Sequence, residues 1–301
     1  MKRISDVIFD YLDEINIESS QDFGELNKGF RVDSYSIESL EDSKQYNKPI
    51  GDYKLLSVED VLMMNREDIE YTIDIVYKIL RQLIGKVTSN DRFLIVGLGN
   101  RHISSDSLGA KVVGGINISI EDNRLPKVMA IAPSVLGLTG IESYDIISGV
   151  VNKIKPTHII LIDSLCASSV DRLGKSIQMT NTGLCPGSGI GNRRKCIDSS
   201  IGCKVYSIGI PLLIYASTFV YSAFERFDLD NESISSVMQV AEKSCNNSKI
   251  CDFIKSIDKV LNTEFDNCIV SIKDIEECVK ILSQIVSNAI NRVLRVESLS
   301  E

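Results

Sequence analysis

The run Arg92-Phe-Leu-Ile-Val-Gly97-Leu-Gly99-Asn100 decides the fold. The apolar residues behind Arg92 leave no polar face, so they predict a strand buried on both sides. The Gly-x-Gly-Asn that follows predicts a tight turn at the end of that strand. Val128-Met-Ala-Ile-Ala132 and His158-Ile-Ile-Leu-Ile162 read the same way, the latter ending at Asp163. Lys204-Val-Tyr-Ser-Ile-Gly-Ile210 is a fourth strand. Between them, Asp106 to Val113 opens a helix with Ser104 or Ser105 as its cap. Glu142 to Lys155 carries Ile146, Ile147, Val150, Val151 and Ile154 on one helical face and is closed by Pro156.

Upstream, Ile69, Ile73, Val76, Leu80 and Leu83 recur at helical spacing, with Asn65 as N-cap, Asp68 three residues on and Gly85 as the stop. Residues 227–301 read as helices, most clearly Ile272 to Leu294. Strands alternating with helices predict an α/β fold: a mostly parallel sheet with helices on both faces, plus a helical C-terminal region. We expect a single domain over residues 1–301, with an acidic N-terminal segment 1–57, an α/β core 58–226 and a C-terminal region 227–301. The segment 1–57 shows little periodicity.

The chain has 301 residues, 44% hydrophobic and 25% charged, which excludes a disordered or fibrous protein. Its net charge of −8 lies in one place: residues 1–70 hold 17 Asp/Glu against 8 Lys/Arg, and the rest is nearly even. Without a basic block, a nucleic-acid partner is not expected. The Met1-Lys-Arg-Ile-Ser-Asp start lacks a signal-like apolar stretch, and no apolar run reaches membrane-spanning length, so the expectation is a cytoplasmic chain without membrane association. Eight cysteines at irregular spacing, with no C-x-x-C, read as reduced and mostly buried thiols.

Ligands of open parallel sheets bind beyond the carboxyl ends of the strands. Gly97, Gly99, Asn100 and Asp106 follow the first strand, and Asp163 ends the third. The glycine-rich run with Gly187, Gly189, Gly191 and Asn192 lies between later elements. Two carboxylates at one sheet edge suit acid–base work, one ionised and one held protonated by its neighbour. The plainer alternative is that Asp106 caps a helix and Asp163 merely terminates a strand. A dinucleotide fingerprint fails because His102 stands where its third glycine belongs. Ser169-Val-Asp-Arg-Leu-Gly-Lys-Ser176 fails as a phosphate loop because Ser169 replaces its first glycine. His158 starts the strand that Asp163 ends, roughly 16 Å away at ~3.3 Å per residue, so it reads as structural.

Gly97-Leu-Gly-Asn100, Ser105-Asp106-Ser-Leu-Gly109, Ala132-Pro-Ser-Val-Leu-Gly-Leu-Thr-Gly-Ile-Glu142, Ile162-Asp163-Ser-Leu165 and Thr182-Gly-Leu-Cys-Pro-Gly-Ser-Gly-Ile-Gly-Asn192 occur in this order. Together they resemble the germination proteases of spore-forming bacteria. The resemblance implies a fold related to the hydrogenase-maturation peptidases. It also implies a homotetramer, a zymogen with a removable N-terminal propeptide, and small acid-soluble spore proteins as substrates in the spore core. It places the family's catalytic aspartates on Asp106 and Asp163 and implies no metal or other cofactor. The chain departs from the family pattern at Asn181, near Ser168 and at Tyr215. These departures keep open a weakened or inactive relative that acts by binding. A metal-dependent maturation-type peptidase is the other alternative, and the shortage of histidines counts against it.

Overall fold

In a computed structural model, the structure describes residues 26–27, 29–46, 48–120, 122, 124–185, 195–216, 218–219 and 269–295. The strands are β1 (Arg31–Ile37), β2 (Gly51–Ser57), β3 (Arg92–Gly97), β4 (Lys127–Ile131), β5 (His158–Ala167), β6 (Ser176–Thr180), β7 (Lys204–Tyr215) and β8 (Ile269–Val270). The helices are α1 (Leu40–Tyr46), α2 (Arg66–Ile84), α3 (Leu108–Gly114), α4 (Leu136–Thr139), α5 (Ser143–Ile154) and α6 (Ile275–Val293).

One sheet runs in the order β1-β2-β6-β7-β5-β3-β4, with β8 paired to β7. The central neighbours β7, β5, β3 and β4 are parallel, and β6, β2 and β1 extend the sheet with antiparallel pairing. The class is therefore α/β with a mixed sheet whose centre is parallel, as the uninterrupted apolar strands imply. Ile159 and Leu161 point to one face, packed with Ile147 and Val151 of α5. Ile160 and Ile162 point to the other, packed with α2, α3 and α6. Both faces are covered.

The long helices follow their sequence signals. Asn65 caps α2 by accepting from the N–H groups of Glu67 and Asp68, and the Asp68 carboxylate accepts from the Asn65 N–H. That reciprocal box starts the helix, and Gly85 at φ +81° ends it. In α6, Val279, Leu282, Val286, Ile290 and Val293 recur three or four residues apart and are buried against the same core as α2.

Two expectations need correction, and one segment gains structure. Residues 31–57, read as an acidic stretch of little periodicity, hold a strand pair, β2 lying directly on β6. Their apolar alternation is short and interrupted by serine and lysine, so periodicity alone did not expose it. The 106–113 helix begins at Leu108, preceded by a 3-10 turn over Ser104–Asp106, and its N-cap is Ser107. The third strand does not end at Asp163 but continues to Ala167, because β7 extends alongside it and supplies pairing where β3 has stopped. Of the helical region expected over 227–301, α6 lies among the described residues and residues 227–268 lie outside them.

The cysteines also depart from expectation. Cys185 and Cys196 form a disulfide. The backbones of Leu184 and Ile197 exchange hydrogen bonds at 3.1 and 2.9 Å, and this bridge sets the flanking cysteines face to face. Nothing in a separation of 11 residues announces such pairing. Cys166, Cys203 and Cys278 are free, the first and last buried. Cys245, Cys251 and Cys268 lie outside the described residues.

Candidate active site

The site is built around the turn leaving β3. Gly97 is level with Ile162 of β5, and the N–H of Leu98 donates to the Ile162 carbonyl at 2.8 Å. The turn therefore starts beside Asp163. It closes two residues later, where the Asn100 N–H donates to Oδ2 of Asp106 at 2.7 Å. One short turn thus adjoins the β5 backbone next to one carboxyl group and binds the other carboxyl group directly.

Glycines make this approach possible. A Cβ at Gly97 would stand 2.1 Å from the Gly109 carbonyl oxygen, and one at Gly109 would stand 2.4 Å from that of Leu98. The start of α3 consequently lies directly on the backbone leaving β3. Gly99 has φ +95°, and a side chain there would strike the Asp106 backbone. All three positions exclude any larger residue.

The geometry bears on the plainer alternative for the two aspartates. Asp106 does not cap α3, since Ser107 is the N-cap and makes no side-chain capping bond. The Asp106 carboxylate turns back to Asn100 instead. Ser104, expected as a cap, donates its hydroxyl to Glu276 of α6 at 3.0 Å. Asp163 does not terminate its strand; it is buried within β5, and its Oδ1 accepts the N–H of Ser164 at 3.0 Å. Across Gly209, which has no side chain, Gln178 of β6 is level with Asp163. The 3-10 turn carrying Asp106 packs on β5 and β7.

His102 is exposed on the same loop, its N–H donating to Oδ1 of Asn100. His158 lies at the opposite end of β5, stacked between Phe93 and Tyr206. Its Nδ1 is 2.7 Å from the Thr157 hydroxyl and 3.7 Å from Asp91. Burial pushes its pKa below the ordinary 6.5, Asp91 opposes that shift, and Lys204 adds to it. This is the structural role expected of it. Gly187, Gly189, Gly191 and Asn192 lie outside the described residues; the disulfide joins the two ends of their segment. Among the described residues, no group of three or more His, Cys, Asp or Glu side chains is arranged to hold a metal ion.

The divergent positions are now located. Asn181 follows β6 and faces β2: its Nδ2 donates to Oδ2 of Asp52 at 2.7 Å, and its Oδ1 accepts the Asp52 N–H at 2.8 Å. It lies on the far side of β7 from Asp163. Ser168 is buried just past the end of β5, and Tyr215 ends β7 opposite Ile269. The phosphate-loop-like run forms a 3-10 turn and then β6, with no helix after it. It borders a cleft of about 320 Å³ with Ser57 and Val58.

Two features escaped the sequence reading. The hydroxyls of Ser134 and Ser164 are buried and have no hydrogen-bond partner among the described residues. Ser134 also has φ +69°. No motif signals an unpaired hydroxyl, because pairing is decided only by packing.

A family model described as germination protease matches residues 12–227. The germination protease of Caldanaerobacter subterraneus subsp. tengcongensis is 31% identical over 281 residues, covering 90% of this chain and 86% of the relative. That of Clostridium tetani is 32% identical over 284 residues, covering 88% and 85%. That of Clostridium acetobutylicum is 32% identical over 302 residues, covering 89% of each. No helix among the described residues is long and apolar enough to cross a membrane. With the family model spanning most of the chain and these relatives matching nearly all of it, the chain belongs to the germination protease family and is a peptidase with a role in spore germination.

Proposed function

We propose that this peptidase is an endopeptidase that begins the degradation of small acid-soluble spore proteins in the spore core, using Asp106 and Asp163 to activate water. The observation that supports the pair is their shared turn: Leu98 is bonded to the strand beside Asp163, and Asn100 is bonded to Asp106. In this mechanism one carboxylate takes a proton from water as the water attacks the scissile carbonyl. The other, protonated, donates to the carbonyl oxygen as charge develops there. Two neighbouring carboxyl groups titrate as a unit, so the base and the acid are properties of the pair.

Donors for the developing oxyanion come from the turn, through Gly97, Gly99 and Asn100, and from the run with Gly187, Gly189, Gly191 and Asn192. No metal or organic cofactor enters this scheme. The further elements of the reading are one domain, a homotetramer and a zymogen whose N-terminal propeptide is removed, with acid promoting that processing.

The test is cleavage of a purified small acid-soluble spore protein, followed by mass analysis of both proteins. Asp106→Asn and Asp163→Asn should each abolish cleavage while the fold, followed by circular dichroism, is retained. Wild-type rates in either variant overturn the pair.

A further inference from the structure

We propose that Ser134 is a substrate-binding residue, its hydroxyl hydrogen-bonding the backbone of the bound polypeptide; this rests on the protease reading above. Ser134 is only 9% exposed, and its Oγ has no partner among the described residues. A buried hydroxyl without a partner is destabilising, because it has given up water for nothing. The backbone adds a second cost, since φ +69° is a region that a residue with a Cβ rarely occupies. Glycine would remove both costs and alanine the first.

The strain is not a by-product of a helix end. Lys155, the other non-glycine residue at positive φ among those described, is the left-handed cap that closes α5. Ser134 precedes α4 by two residues and is held by a different device: its carbonyl accepts the Ser143 hydroxyl at 2.9 Å, from the first residue of α5. The fold therefore anchors the Ser134 carbonyl and leaves its hydroxyl unpaired among the described residues.

Its place agrees with a substrate contact. Ile131 of β4 is level with Val96 of β3, so Ser134 lies past the carboxyl end of the sheet, on the edge where Asp163 borders the β3 turn. Alternation along β5 puts Asp163 on the face of Ile159 and Leu161, the one covered by α5, and Ser143 ties Ser134 to that helix. Two strand spacings separate β4 from β5, roughly 10 Å, or about three residues of an extended peptide. A polypeptide lying across the edge with its scissile bond at the carboxylates thus brings a backbone group to Ser134 about three residues away. A hydroxyl donates to a carbonyl or accepts from an N–H, so it reads the main chain whatever the side chain.

Ser134→Ala and Ser134→Gly test this against a small acid-soluble spore protein. Cleavage is measured in the otherwise wild-type chain, and binding by fluorescence anisotropy in an Asp163→Asn background. Both variants should raise KM and Kd about tenfold with kcat within about twofold, while Ser134→Gly raises the melting temperature. Unchanged KM and Kd in both variants, with the melting temperature raised, overturn the proposal and leave the protease reading standing. A wild-type chain that binds the protein without cleaving it overturns the protease reading alone, since Kd still reports on Ser134. A wild-type chain that neither binds nor cleaves the protein overturns both.

Discussion

The main-chain N–H of Asn100 donates to Oδ2 of Asp106 across 2.7 Å, so the turn after β3 and the carboxylate that follows it position each other. Removing the acceptor therefore loosens the turn as well as the charge. Asp106→Ala should lower unfolding stability by about 1–2 kcal/mol, the value of a charge-assisted bond at a half-buried site. Asp106→Asn, which keeps an acceptor oxygen, should lose less than half of that. Urea denaturation of the two variants checks the difference.

The contact between β3 and α3 makes an opposite pair of predictions at two helical glycines. Gly109→Ala drives a methyl group against the Leu98 backbone, which cannot rotate away, and should destabilise by ~1–3 kcal/mol or more. Gly149 lies inside α5 with open space around its Cβ position, and Gly149→Ala should stabilise by ~0.5–1 kcal/mol. Thermal denaturation of both distinguishes close packing from a general response to alanine.

Asn181→Asp sets a carboxylate against Asp52, where the amide now donates across 2.7 Å. Like charges at that range should cost about 1–2 kcal/mol at neutral pH. One of the pair then holds its proton more tightly in the folded chain than in the unfolded one, so the lost stability returns as the pH falls. Denaturation midpoints between pH 4 and 8, compared with wild type, show whether it does.

His158 gives the wild-type chain its own pH dependence. Its folded pKa lies below the ordinary 6.5, chiefly through burial. As the pH falls through the unfolded value, the unfolded chain takes up a proton that the folded chain still refuses. Stability is thus full above about 6.5 and falls below it, and the loss is complete once the folded pKa is passed. His158→Phe, which keeps a flat ring between Phe93 and Tyr206, should remove this component from the pH-stability curve.

What could be read in advance followed the range of the forces involved. The Asn65 box, the α2 stripe and the apolar runs of β3, β5 and β7 are local patterns, and each formed nearly where expected. β1 and β2 were missed because their place depends on β6, more than a hundred residues away. The end of β5 was misplaced because β7, not the local sequence, decides how far it runs. At the site, glycines and carboxyl groups announced themselves by type and position. The strain at Ser134, the Asp52–Asn181 clasp and the Cys185–Cys196 bond did not, because each depends on which distant backbone comes to rest beside it.

The pairing of β2 with β6 limits how the chain can be trimmed. Severing the chain after Ser57 would strip the hairpin and leave β6 as a bare margin, its N–H and C=O groups open to the same groups of another molecule. Such a product should self-associate through its strands rather than yield a clean enzyme. A cut before Arg31 keeps that margin covered and leaves β1, with its Arg31–Asp33 ion pair, at the border facing solvent.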